Sequence, residues 1–63
     1  MKIVRVALAV PLSHLFDYLA PDDMPLSTGG RVWVPFGSQK RLAIVGELAA
    51  QSAMSAEKLK TVL

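Results

Sequence analysis

Phe16, Asp17 and Tyr18 set a carboxylate between two aromatic rings inside the stretch "SHLFDYLAPDD". Strand interiors disfavour aspartate, so the acid needs a reason. Two readings of its chemistry stand. In the plainer one, Asp17 is the solvent-facing member of an alternating strand, or the partner of a nearby arginine. In the other, its carboxylate accepts a charge-assisted hydrogen bond from a sugar hydroxyl and repels a phosphate at the same spot. With aromatic rings available to stack on a base, such a carboxylate suits a nucleic-acid strand that ends in a free hydroxyl. On the residues alone the plainer reading weighs more.

Other chemistry finds little support. The sequence has no G-x-x-x-x-G-K-[ST] phosphate loop, and "STGGR" is too short to be one. Ser13 and His14 are sequence neighbours, which gives no nucleophile–base geometry, and Asp22 and Asp23 fall where turns favour aspartate. No catalytic residue is assigned. A single histidine and no cysteine leave neither a metal site nor a disulfide to expect, and no cofactor is expected either. Four aromatics (Phe16, Tyr18, Trp33 and Phe36) and the cations Arg5, Arg31, Lys40, Arg41, Lys58 and Lys60 remain. Stacking rings and cations suit a nucleic acid. The bland alternatives are core packing for Phe16 and Phe36, a core plug or partner contact for Trp33, and solvated faces for the cations. The net charge of +2 permits a polyanionic partner without requiring one.

The elements that must position these residues read as short strands. The 63 residues, 52% hydrophobic, suit one small domain over residues 1–63. A domain of this size buries only ~60% of its unfolded surface. In residues 3–10, "IVRVALAV", Val4, Val6 and Leu8 share one face, with Ile3, Arg5, Ala7 and Ala9 on the other, until Pro11 interrupts. In residues 15–20, Leu15, Asp17 and Leu19 share one face and Phe16 and Tyr18 the other. A Pro- and Gly-rich loop follows over 21–30. Residues 31–36 alternate with Val32, Val34 and Phe36 inward and Arg31 and Trp33 outward, and Pro35 points to an edge position or a strand end. Residues 37–40 read as a turn with Gly37 free to take positive φ. In residues 41–48 Leu42, Ile44 and Leu48 are expected inward, with Gly46 at a bulge or a close backbone approach. Ser55 can cap one helical turn containing Glu57, and residues 59–63 begin a fifth strand.

The expected fold is therefore all-β: a small OB- or SH3-like barrel, or a curled antiparallel sheet that is incomplete at its C-terminus. No apolar stretch approaches the ~20 residues of a membrane span. Arg5 breaks the signal-like run at the N-terminus. A cytoplasmic location and no membrane partner are expected.

Four pieces of sequence carry a family resemblance. They are V-x-L-x-V-P-L-x-x-x-F-D-Y from Val6 to Tyr18, G-x-R-V-x-V-P-F-G from Gly29 to Gly37, a strand ending in Ile44-Val45, and L-K-x-V from Leu59 to Val62. Together they resemble the N-terminal domain of the replication-restart helicase family of primosomal protein N′ (PriA). The resemblance implies a module that binds the 3′ end of the nascent leading strand at a stalled fork. It implies a terminal-nucleotide pocket made by Phe16, Asp17, Tyr18, Gly37 and Lys60, with Asp17 on the 3′-hydroxyl and any base tolerated. Arg5, Arg31 and Arg41 are the weaker candidates for phosphate contacts. The ATPase motifs, zinc-binding cysteines and winged helix of the full helicase are not in this sequence, so no ATP hydrolysis is expected of it. The partners implied are DNA and, through the larger helicase, other restart proteins. The rival is a protein-interaction module that docks a partner through an exposed strand edge or a patch around Trp33.

Overall fold

A computed structural model describes residues 1–11 and 14–63, apart from the Ala56 side chain. Four strands form one antiparallel sheet: β1 (Lys2–Leu8), β2 (Phe16–Ala20), β3 (Arg31–Phe36) and β4 (Gln39–Ala49), in the order β2-β1-β4-β3. A 3₁₀ turn spans Ala56–Lys58, closed by the Lys58 amide donating to the Ser55 carbonyl at 2.9 Å. Among the described residues no helix is long and apolar enough to cross a membrane.

Period-two alternation explains most of the faces. Val4 and Val6 of β1 and Val32 and Val34 of β3 are buried, as their spacing predicts. On β2 the buried residues are Tyr18 and Ala20, so the Phe16–Tyr18 face is the inner one. β3 is an edge strand, as Pro35 predicts, since proline cannot donate to a ladder.

β4 departs from expectation. Leu42, Ile44 and Leu48 are 43%, 48% and 50% exposed, whereas Ala43 and Val45 are buried. The residues from Leu42 to Val45 are all apolar, so alternation by itself leaves the inner face undecided. Pairing decides it. Ala43 lies opposite Val32 and Val45 opposite Val6, while Leu42 lies opposite Trp33 and Ile44 opposite Arg31. Because side chains alternate strictly, a shift of one residue exchanges the two faces. The curled sheet fills its interior mainly with valine, alanine and Tyr18 and leaves Leu42 and Ile44 of β4 outside.

The register between β1 and β4 breaks at one point. Arg5 pairs with Glu47 and Val6 with Val45, so Gly46 is the extra residue of a β-bulge. A Cβ there would lie 3.3 Å from the Arg5 carbonyl oxygen and 3.3 Å from Leu15 Cδ1, which explains the glycine. The bulge also returns Glu47 to the outer face beside Arg5 and Asp17. Leu48 then pairs with Val4 on the inner side but stays exposed near the strand's end.

The sheet curls until its two edges, β2 and β3, approach each other. Two devices tie them together. The Tyr18 hydroxyl on β2 donates to the Pro35 carbonyl on β3 at 2.8 Å. The C-terminal segment lies between the edges: the Leu19 amide donates to the Lys60 carbonyl, the Val62 amide to the Leu19 carbonyl, and the Leu63 amide to the Trp33 carbonyl. Thr61 forms a parallel bridge with Leu19, and Leu59 and Val62 are buried, in keeping with the start of a fifth strand.

Burial raises the Tyr18 pKa above its ordinary value of 10.0, because the phenolate loses its hydration. The unfolded chain therefore releases the Tyr18 proton first, and stability is full below pH ~10 and falls as pH rises from there towards the folded-state pKa. Tyr18→Phe should lower unfolding stability by about 1 kcal/mol through loss of the Pro35 bond. It should also remove the tyrosine part of the alkaline loss. Urea unfolding on both sides of pH 10 checks both effects. Tyr18 is the only tyrosine, so phenolate absorbance reads its ionisation directly.

Candidate nucleic-acid interface

A cavity of about 490 Å³ opens where the two sheet edges meet. β2 contributes Phe16, Asp17 and Tyr18, and the end of β3 with its turn contributes Pro35, Phe36 and Gly37. His14 and Leu15, Ser52 to Met54 and Lys58 to Lys60 complete the lining. β2 is an edge strand, so side chains from both its faces reach the cavity: Phe16 and Tyr18 from the inner face and Asp17 from the outer. Phe16, Asp17, Tyr18, Gly37 and Lys60, far apart in sequence, thus line one space. Arg31 and Arg41 are not brought to it. Arg31 is exposed on β3, and exposed Arg41 donates through Nη2 to Gln39 Oε1 at 3.4 Å.

The aromatic wall is continuous. Phe16 and Phe36 pack edge to face, with centroids 5.5 Å apart at 87°, and the His14 ring lies 4.5 Å from Phe16. This geometry leaves both phenyl rings only partly buried, as members of a wall rather than of the core. Tyr18 is more deeply set, 5% exposed, with its hydroxyl committed to Pro35.

Gly37 and Ser38 form the two-residue connection between β3 and β4, since Phe36 pairs with Gln39. Gly37 has φ +62° and, among the described residues, no non-glycine has positive φ, the pattern of a type II′ hairpin turn. A Cβ on Gly37 would have no atom within 4 Å, so the position is open.

Asp17 is held at both carboxylate oxygens. Arg5 Nε donates to Oδ1 at 3.0 Å and Ser52 Oγ donates to Oδ2 at 2.5 Å. Ser52 Oγ in turn accepts the Met54 amide at 3.2 Å. The remaining Arg5 nitrogens are also engaged: Nη1 donates to Glu47 Oε2 at 3.3 Å and Nη2 to the Gln51 carbonyl at 3.1 Å. Asp17 is 16% exposed and Arg5 34%. A carboxylate offers about four lone-pair positions, so Asp17 keeps acceptor capacity after these two bonds.

The arginine-partner reading of Asp17 thus describes a contact that is present, and it leaves room for a ligand. Sequence reasoning assigned no role to Ser52 or Met54, whose segment shows no periodicity, or to His14, which is exposed and lines the cavity. The only signal for His14 was its closeness to Phe16-Asp17-Tyr18. Ser13 and Leu12, within the first family motif, lie outside the described residues.

Comparison with known proteins gives a consistent family. The model of the family described as "3'DNA-binding domain (3'BD)" matches residues 5–63. The replication restart protein PriA of Haemophilus influenzae is 60% identical over 63 residues, covering 100% of this chain and 9% of that protein. PriA of Rickettsia conorii is 39% identical over 62 residues, 98% of this chain and 9% of the relative. The chain therefore spans about a tenth of the length of these curated relatives. It belongs to the 3′ DNA-binding domain family.

Gly37→Ala should cost about 1 kcal/mol of stability, because the left-handed conformation strains any residue with a Cβ. Gly37→Asn should cost less, since asparagine tolerates that region better. Urea midpoints of the two variants check this order.

Proposed function

We propose that this member of the 3′ DNA-binding domain family holds the terminal nucleotide of a DNA strand in the seam cavity and reads its 3′-hydroxyl through Asp17. The observation that carries the proposal is the convergence of Phe16, Asp17, Tyr18, Gly37 and Lys60, from three separate segments, on one cavity. Asp17 accepts the hydroxyl with its spare lone pairs and turns away a 3′-phosphate by like-charge repulsion. Phe16 flanks the sugar and base, and the Tyr18 ring backs the cavity. Gly37 allows close backbone approach at the mouth. Lys60 brings a positive charge for the strand. Stacking on aromatic faces is tolerant of base identity, which suits an end-binder that must accept any sequence.

In the larger protein this module serves replication restart. It places the helicase on the 3′ end of the nascent leading strand at a stalled fork, in the cytoplasm, ahead of primosome assembly with other restart proteins. The name of the relatives, replication restart protein, supports the restart role. The module itself binds DNA, and the motor activity belongs to the larger protein.

A second reading has its own observation. Trp33, Leu42 and Ile44 make an apolar patch on the outer face, 43–48% exposed, with Lys40 Nζ 5.4 Å from the Trp33 ring centroid. Such a patch suits a protein partner. A folded chain that binds no single strand at low salt would favour this reading.

The test compares short single strands ending in 3′-hydroxyl and 3′-phosphate at one stated salt concentration. The hydroxyl end should bind more tightly. Asp17→Asn should abolish the preference, raising the Kd for the hydroxyl end on the order of 30-fold, as expected for about 2 kcal/mol from a charge-assisted bond. Lys60→Ala should weaken both ends alike. Equal affinity of the unaltered chain for the two ends would overturn the role given to Asp17.

A further inference from the structure

The Asp17 carboxylate sits in a row of charges that crosses three strands. The register places Glu47 of β4, Arg5 of β1 and Asp17 of β2 side by side on the outer face, and the bulge at Gly46 brings Glu47 into this row. Arg5 is the hub. Its three nitrogens are directed to Asp17, Glu47 and the Gln51 carbonyl, so it ties three elements and the segment preceding Ser52 to the same carboxylate. Ser52 then holds the second oxygen of Asp17.

This arrangement solves a problem that hydroxyl reading creates. A carboxylate favours a sugar hydroxyl, but the strand that carries the hydroxyl also carries phosphodiesters a few bonds away. An uncompensated carboxylate beside the cavity repels them. A cation bonded to the carboxylate reduces that repulsion without removing the spare lone pairs. A guanidinium also restricts the carboxylate's rotation better than an ammonium does, because its donors form a rigid planar fork.

We infer that Arg5 is a positioning and charge-balancing residue for Asp17, not a phosphate contact: it orients the carboxylate towards the strand terminus and offsets its charge so that an anionic strand can enter. The inference rests on the reading of Asp17 as the hydroxyl acceptor, although its electrostatic half can be measured separately. A phosphate-contacting Arg5 would face the strand with free donors. Here three of the guanidinium's five N–H groups go to its own protein's acceptors, 34% exposure leaves it only partly open, and Arg5 is not among the residues that line the cavity.

The two roles give opposite results in a double-mutant cycle. Strands labelled at the 5′ end and ending in 3′-hydroxyl or 3′-phosphate are titrated by fluorescence anisotropy at one low salt concentration. The proteins are the unaltered chain, Arg5→Gln, Asp17→Asn and the double variant. Arg5→Gln should weaken binding of both ends by about tenfold, because Asp17 is left unbalanced. For the phosphate end, which has no hydroxyl bond to lose, adding Asp17→Asn should restore affinity to the level of Asp17→Asn alone. If the double variant binds the phosphate end as weakly as Arg5→Gln or more so, Arg5 contacts phosphate and the inference fails; it also fails if Arg5→Gln changes nothing.

Arg5→Lys guards against a simple loss of folding. It keeps the charge and loses the fork, so affinity for the phosphate end should stay near that of the unaltered chain while the preference for the hydroxyl end shrinks. An unchanged preference in a folded Arg5→Lys would overturn the orienting role. If the unaltered chain shows no end preference yet the double variant recovers affinity, the hydroxyl reading is wrong while the charge balance stands.

Discussion

A curled sheet has two edges, and everything distinctive about this chain happens where they meet. The bond from the Tyr18 hydroxyl to the Pro35 carbonyl spans the seam from β2 to β3. Unpaired edges invite pairing with other chains. Here the Lys60–Leu63 segment occupies part of both. Closure by one side chain and a short segment leaves a gap between β2 and the β3 turn. That gap is the cavity, lined from both faces of β2 because β2 is an edge. Pro35 belongs to both halves of this arrangement. Its missing N–H suits an edge strand, while its carbonyl serves the tyrosine.

Asp17 shows how a polar group is kept at such a seam. Its carboxylate is mostly covered, and a covered charge is costly unless it is paired and hydrogen-bonded. Arg5 and Ser52 meet that requirement, and both come from outside β2. Arg5 reaches Asp17 because their strands pair in register, and Glu47 reaches Arg5 because of the bulge. A backbone irregularity at one glycine therefore places Glu47 in the row of charges that ends at Asp17.

Strands β1 and β3 are legible in the sequence because valines alternate with residues that can face water. β4 is not, because Leu42 to Val45 offer apolar side chains to either face and only pairing with Val6 and Val32 selects one. The bulge at Gly46 is legible, since a glycine within a strand has few other uses. The cavity is another matter. Composition and alternation could mark Asp17 as unusual, but they could not bring Gly37 and Lys60 to it, since that depends on sheet closure. The resemblance carried by the spaced motifs named those residues together. Ser52 had no signal at all, because its segment has neither periodicity nor a motif and is positioned by the partners it finds.

The most direct measurement is a structure of the chain with a short DNA strand ending in 3′-hydroxyl. The account predicts the terminal sugar between Phe16 and Gly37, its hydroxyl oxygen about 2.5–3.0 Å from an Asp17 carboxylate oxygen, and Arg5 still bonded to Asp17. A strand laid across Trp33 and Leu42 on the outer face, with the seam cavity empty, would contradict it.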